Sequence, residues 1–98
     1  MSKGGWVYVV ANRYRGTIYI GVTSSLAHRI GQHREGTGAQ IAKRHGCTRL
    51  VLAEPFERIE DAIAREKQLK RWNRVWKIRL IEEQNPDWLD RFDEIVSL

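Results

Sequence analysis

The chain has 98 residues, of which 42% are hydrophobic and 30% charged, with a formal net charge of +5. This is the length of one domain with a modest core, and the composition of a soluble globular protein. No apolar run approaches the roughly 20 residues that span a bilayer, the opening Met1 to Gly5 lacks the apolar segment of a signal peptide, and the lone Cys47 excludes an internal disulfide or a cysteine zinc cluster.

A cytoplasmic setting without a membrane partner is therefore expected, with Cys47 read as buried and inert. The first element in the chain is a β pattern, Val7-Tyr8-Val9-Val10-Ala11, followed by a polar connection, Asn12 to Gly16, and a second β pattern from Thr17 to Val22. A hairpin turn centred near Tyr14 and Arg15 sets Tyr8 opposite Gly21 and Val10 opposite Tyr19. Strand alternation then groups Val7, Val9, Ala11, Ile18, Ile20 and Val22 on one wholly apolar face, the expected core. The other face carries Trp6, Tyr8, Val10, Asn12, Thr17, Tyr19 and Gly21. Gly21 leaves a gap beside Tyr8 where a helix, a ligand or a phosphate can approach.

A helix capped by Ser24 or Ser25 follows, with Leu26, Arg29, Ile30 and His33 on one stripe and Gly36 and Gly38 at its end. An arginine and a histidine thus occupy positions where a structural stripe prefers apolar residues. Residues 36–48 are polar and basic. A short helical turn is expected at Gln40 to Arg44, and Lys43, Arg44, His45 and Arg49 are candidate phosphate contacts. Arg49 to Phe56 reads as a third strand, with Pro55 at its end or on a sheet edge.

Ile59 to Arg71 reads as a helix, with Glu60 and Asp61 near its start and Lys67, Lys70 and Arg71 near its end, as the macrodipole favours. Glu66 lies on its apolar stripe with Ile59, Ala62 and Ile63. It is a boundary residue, half of an ion pair with a partner such as Arg29, or a metal ligand. A further helix runs from a cap at Asn73 to Glu83. A last helix is expected at about 86–97, with Asn85 as cap, Pro86 in its first turn, and a stripe of Trp88, Leu89, Phe92, Ile95 and Val96. Trp72, Trp76 and Trp88 are read as core or helix-packing residues in preference to base-stacking platforms. The fold class is α/β of the α+β kind: a small three-stranded antiparallel sheet flanked by about four helices, in one domain spanning the chain.

Charge is unevenly spread. Residues 1–53 hold eight Lys or Arg and one acid, whereas residues 54–98 hold nine basic and eleven acidic residues. A basic half that also carries Tyr8, Tyr19 and Arg29 suits a polyanion such as nucleic acid, with a solvated surface as the alternative. Phosphodiester hydrolysis requires a nucleophilic water, a base, and charge neutralisation at the phosphate. Glu66 offers one hard oxygen ligand, as Mg²⁺ accepts. Arg29 offers a planar fork to a phosphate, Tyr8 and Tyr19 offer hydroxyls, and His33 is a proton acceptor or relay.

In order along the chain, Tyr8, the triplet Tyr19-Ile20-Gly21, Arg29, His33 and Glu66 resemble the GIY-YIG nuclease family over about residues 5–81. The resemblance is to its small stand-alone bacterial members and to the catalytic domain of the nucleotide-excision-repair incision subunit. The first triplet departs from the pattern: it reads Trp6-Val7-Tyr8, keeping the tyrosine and losing the glycine. The resemblance implies a metal-dependent endonuclease acting on DNA or another nucleic acid, in repair or DNA processing. It implies Tyr8 as general base, Tyr19 and Arg29 at the scissile phosphate, His33 assisting, and Glu66 as the ligand of one Mg²⁺ or Mn²⁺ ion. A late polar residue near the phosphate, Lys67, Lys70 or Asn73, is also implied. Gly21, Lys43, Arg44 and His45 complete the expected nucleic-acid contacts. The competing expectation is a binding or adaptor module of the same fold without activity. The C-terminal helix, outside the resemblance, is expected either to complete the fold or to be the surface for a second copy or a protein partner.

Overall fold

The computed structural model describes residues 4–36 and 43–96. Its elements are β1 (Gly5–Ala11), β2 (Ile18–Thr23), α1 (Leu26–Glu35), β3 (Arg49–Phe56), α2 (Ile59–Arg71), α3 (Arg74–Gln84) and α4 (Phe92–Val96). The three strands form one antiparallel sheet in the order β2-β1-β3. The α+β class and the third strand are as the sequence predicts; Gly38 and residues 40–42 of the turn expected at Gln40 to Arg44 lie outside the described residues, and Lys43 and Arg44, its last two, are helical.

The hairpin register is the predicted one, with Tyr8 paired to Gly21 and Val10 to Tyr19. The connection closes on Asn12, whose Oδ1 accepts from the Thr17 N–H at 2.9 Å. Arg15 takes a left-handed conformation at φ 51°. The hairpin tip is fixed to α3: the Arg15 guanidinium donates twice to Glu82 at 2.7 Å, and Arg74 donates to the carbonyls of Arg15 and Gly16 at 2.6 Å.

Alternation then builds two cores, one on each face of the sheet. Val7, Val9, Ala11 and Ile20 meet Ala62 and Leu69 of α2, Ile81 of α3 and Trp88. On the opposite face, Tyr8 and Val10 meet Leu26 and Ile30 of α1, with Leu50 and Cys47. Each fully buried aliphatic side chain contributes about 1.5–3 kcal/mol from area alone. α1 covers the mixed face and α2 the apolar one. The physical reason lies in α2 itself: Ala62 and Leu69, the residues it buries, complete the larger apolar cluster.

The start of α1 differs in one detail. Ser25 occupies the cap position without a side-chain cap bond, and Thr23 replaces it by accepting from the Ser25 N–H at 3.0 Å. Gly36, at φ 78°, closes the helix in the left-handed conformation. Asn73 caps α3 as expected, its Oδ1 accepting from the Trp76 N–H at 2.9 Å.

The C-terminal helix expected at about 86–97 is corrected. Only Phe92–Val96 is helical. Asn85 ends α3 rather than starting a helix. Its buried amide donates to the carbonyls of Val51 and Leu89 at 3.0 and 2.8 Å and accepts from the Leu89 N–H at 3.0 Å. Trp88 adopts φ 56° and is fully buried, whereas Leu89 stands 62% exposed. The segment then covers the outer edge of β3: the Arg91 N–H donates to the Leu50 carbonyl at 2.8 Å and Asp90 accepts from the Leu50 N–H at 3.3 Å. No helix among the described residues is long and apolar enough to cross a membrane.

Candidate active site

The mixed face of the hairpin holds the site. Tyr8 projects from β1 and is 1% exposed. Its pairing with Gly21 leaves its ring room on the neighbouring strand: a Cβ at Gly21 would overlap the Tyr8 hydroxyl and come within 2.8 Å of ring carbon Cε1. The Tyr8 hydroxyl lies 3.0 Å from His33 Nε2. Tyr19 closes the group, with ring centroids 6.4 Å from Tyr8 and 5.6 Å from His33. Arg29 and His33 are one turn apart on α1, so both point at this face.

Burial dominates the electrostatics. It raises the Tyr8 hydroxyl above its ordinary value, with Tyr19 and Glu66 adding to the rise and Arg29 opposing it. Burial first and Arg29 second push His33 down from 6.5. Both partners of the Tyr8–His33 hydrogen bond are therefore neutral at pH 7. Two polar atoms here, Arg29 Nε and His33 Nδ1, are buried and have no hydrogen-bond partner among the described residues. Unpaired buried polar atoms are uncommon in folded proteins, and here they leave the site with spare hydrogen-bonding capacity.

Glu66 reaches the group from α2, within electrostatic range of Tyr8. Of the three sequence readings, the ion pair is realised, with Lys70 rather than Arg29: the Lys70 ammonium lies 3.3 Å from the Glu66 carboxylate and 5.9 Å from the Tyr19 ring centroid. The i, i+4 spacing of a glutamate before a lysine was the available signal for this pair. Among the described residues no three His, Cys, Asp or Glu side chains converge on one point. The site therefore lacks a zinc-type cage. One carboxylate beside tyrosine hydroxyls is the donor set of a hard cation that keeps most of its waters, and to that extent the residues fit Mg²⁺ or Mn²⁺.

Of the three candidates for the late polar residue, Lys70 stands at the site, Lys67 is exposed on α2, and the side-chain oxygen of Asn73 is taken by its capping bond. Lys43, Arg44 and His45 are exposed ahead of β3. Arg49 donates to the Trp88 carbonyl at 3.1 Å. Trp6, which stands in the place of a glycine, is half-buried against the Tyr8–Leu26–Ile30 cluster. Cys47 is buried, its thiol pushed up by that burial.

The hairpin, its two tyrosines, the arginine and histidine of one helix and the carboxylate of another define a small α+β domain of nuclease type. A model of the GIY-YIG catalytic domain matches residues 4–79, and the chain belongs to that family. It is 33% identical over 79 residues to a UPF0213 protein of Staphylococcus haemolyticus, covering 81% of this chain and 95% of the relative. To a UPF0213 protein of Streptococcus pneumoniae it is 32% identical over 95 residues, covering 96% and 95% of the two chains. To one of Oceanobacillus iheyensis it is 29% identical over 87 residues, covering 89% and 100%. No solved structure gives a significant match.

Proposed function

We propose that the chain is a divalent-metal-dependent endonuclease that hydrolyses phosphodiester bonds in DNA or another nucleic acid. The observation that carries this reading is the buried hydrogen bond between the Tyr8 hydroxyl and His33 Nε2, 3.0 Å long, beside Arg29 and Glu66. A tyrosine whose hydroxyl stays protonated is a poor base by itself. Joined to a neutral imidazole it becomes a relay. The attacking water gives a proton to the Tyr8 oxygen while Tyr8 gives its own to His33 Nε2. The water oxygen bonds to phosphorus, the ester bond to the leaving oxygen breaks, and that oxygen takes a proton from solvent. Arg29 faces the charge that grows on the phosphate, where its unpaired Nε is available as a donor. Tyr19 orients the phosphate. Glu66 holds the metal ion through one carboxylate, Mg²⁺ or Mn²⁺ being the fitting choices. When bound, such an ion neutralises phosphate charge and lowers the pKa of its waters.

Cleavage of supercoiled plasmid and of end-labelled single-stranded and branched DNA tests the proposal, with Mg²⁺, Mn²⁺ or chelator, in the parent chain, Tyr8→Phe and Glu66→Ala. Metal-dependent cutting is expected. Tyr8→Phe keeps the buried ring and removes the relay, so its rate should fall by about 10²–10⁴-fold, while loss of the buried bond to His33 lowers stability by about 1–3 kcal/mol and leaves the chain folded. Equal cutting by all three proteins would sink the assignment. Binding without cutting by the parent chain would leave a module that holds nucleic acid and does not cleave it.

A further inference from the structure

One surface outside the tyrosine site has the makeup of a ligand-binding groove. Trp76, expected as a core or helix-packing residue, is 51% exposed, and Val75 beside it is 63% exposed. Trp76 meets Trp72 edge to face, with centroids 5.9 Å apart. The two rings line a cleft of about 380 Å³ with Arg65, Arg79, Leu80 and Glu83, within the size range of small-molecule sites, roughly 300–1,000 Å³. Arg65 is tied to Glu54 by bonds of 3.0 and 3.3 Å and lies over the Trp72 ring at 5.3 Å. Arg79 makes no ion pair among the described residues. Trp72 is also a wall of an adjoining cleft of about 460 Å³, which Lys67, Gln68 and Arg71 share. The two clefts thus share one indole as a wall, and the second is lined by Lys67, next in sequence to Glu66.

Charge also separates along the sequence here, and four of its cations, Arg65, Arg79, Lys67 and Arg71, line the two clefts. Residues 65–81 contain seven Lys or Arg and one acid, whereas the rest of residues 54–98 contain two basic residues and ten acids. The near balance of the C-terminal half hides a basic segment confined to α2 and α3. A basic track that carries a half-exposed indole matches a polyanion with flat apolar groups along it, which is the chemistry of an unpaired nucleic-acid strand. A blunt duplex presents the same phosphates but keeps its bases stacked on one another.

We infer that the Trp72–Trp76 cleft is a binding site for single-stranded nucleic acid. One unpaired base stacks on Trp76, and Arg79, Arg71 and Lys67 hold the adjoining phosphates. The substrate class that follows is a strand with an unpaired segment, such as a flap or a loop. The inference rests on reading the molecule as one that acts on nucleic acid.

Fluorescence anisotropy tests it with three labelled probes of one length: a single strand, a blunt duplex, and a single strand whose central nucleotides are abasic. Trp76→Ala should weaken binding of the single strand about 10-fold and change the duplex and the abasic strand by less than about 2-fold. Trp76→Phe should restore most of the lost affinity. Trp76 is absent from both packed clusters, so both variants should stay folded, Trp76→Ala losing only the edge-to-face contact with Trp72. Equal loss on the abasic strand would mean that charge alone is recognised and would overturn the inference. So would unchanged binding of every probe in Trp76→Ala, while the cleavage test of Tyr8 and Glu66 stood unaffected. A polyglutamate peptide with one tryptophan that bound more tightly than the strand, and lost affinity in Trp76→Ala, would assign the cleft to a protein partner and overturn it too. Strand binding that depends on Trp76 in a chain that cuts nothing would uphold the inference and remove the nuclease reading instead.

Discussion

His33 is a residue whose charge the fold refuses. Burial and the neighbouring Arg29 both lower its pKa from 6.5, so the unfolded chain takes up a proton at a higher pH than the folded chain does. Between those two values the unfolded state binds more protons, and stability falls as pH drops through the window below about 6.5, with no His33 contribution to the slope above it. The expected result is a melting temperature that declines when the pH is lowered from about 7.5 to about 5.5, and a shallower decline in His33→Gln, whose amide still reaches Tyr8 but does not titrate in that range. Thermal unfolding of both proteins across that range is the measurement; identical slopes would place the titrating charge elsewhere. Cleavage should follow the same direction in the parent chain, because only the neutral ring accepts the Tyr8 proton.

Among the elements, the one that closes the fold is the turn after α3. Asn85 is 5% exposed and spends its amide on Val51 and Leu89, so Asn85→Ala removes three hydrogen bonds and leaves buried backbone groups unpaired. A loss of about 2–3 kcal/mol is expected, which for a domain of this size lowers the melting temperature by about 4–8 °C per kcal/mol. Urea unfolding measures it, and a midpoint equal to that of the parent would show that the turn holds without the amide. The same residue marks where sequence patterns stop being informative. Asn85-Pro86 has the form of a helix start, but that rule weighs only neighbours along the chain, whereas Asn85 is claimed by a strand 34 residues away. Local patterns sufficed elsewhere: the turn placed near Tyr14 and Arg15 set the hairpin register, and Ile59 to Arg71 was bounded by its own charges and stripe. Tyr8, Tyr19, Arg29 and His33 were legible because each interrupts a structural pattern on a single hairpin-helix unit. The side from which Glu66 arrives was not legible, since helix periodicity specifies a stripe and not the sheet face that receives it. Whether Trp76 is core or only packs between helices is open in the sequence for a similar reason. Hydrophobicity alone does not distinguish a ring that fills a cluster from one that stands beside it.

At the scale of the whole molecule, what matters is where charge lies and not how much there is. A net charge of +5 on 98 residues is mild, and spread evenly it would attract nucleic acid weakly. The excess is instead gathered on the N-terminal half and on residues 65–81, while acids elsewhere are drawn into pairs such as Glu82 with Arg15 and Glu54 with Arg65. The Arg15 bonds, and then the indole N–H of Trp88, hold the Glu82 carboxyl at about 2, so that pair persists across the working pH range and keeps the hairpin tip on α3. Each cation that meets a phosphate releases counterions, and the logarithm of affinity then falls with the logarithm of salt by about 0.7 per contact on single strands. Lys67 and Arg71 line the cleft that joins the Trp76 groove. If both contact the strand, the Lys67→Ala, Arg71→Ala double variant should flatten the slope by about 1.4. Its affinity should be lower at low salt and converge on that of the parent as salt rises. Anisotropy titrations of a labelled single strand over a series of salt concentrations measure that slope. A uniform loss of affinity with the parent's slope intact would mean that the two side chains shape the surface without meeting the phosphates, and the strand would then have to follow a path over the N-terminal half, past Lys43, Arg44 and His45.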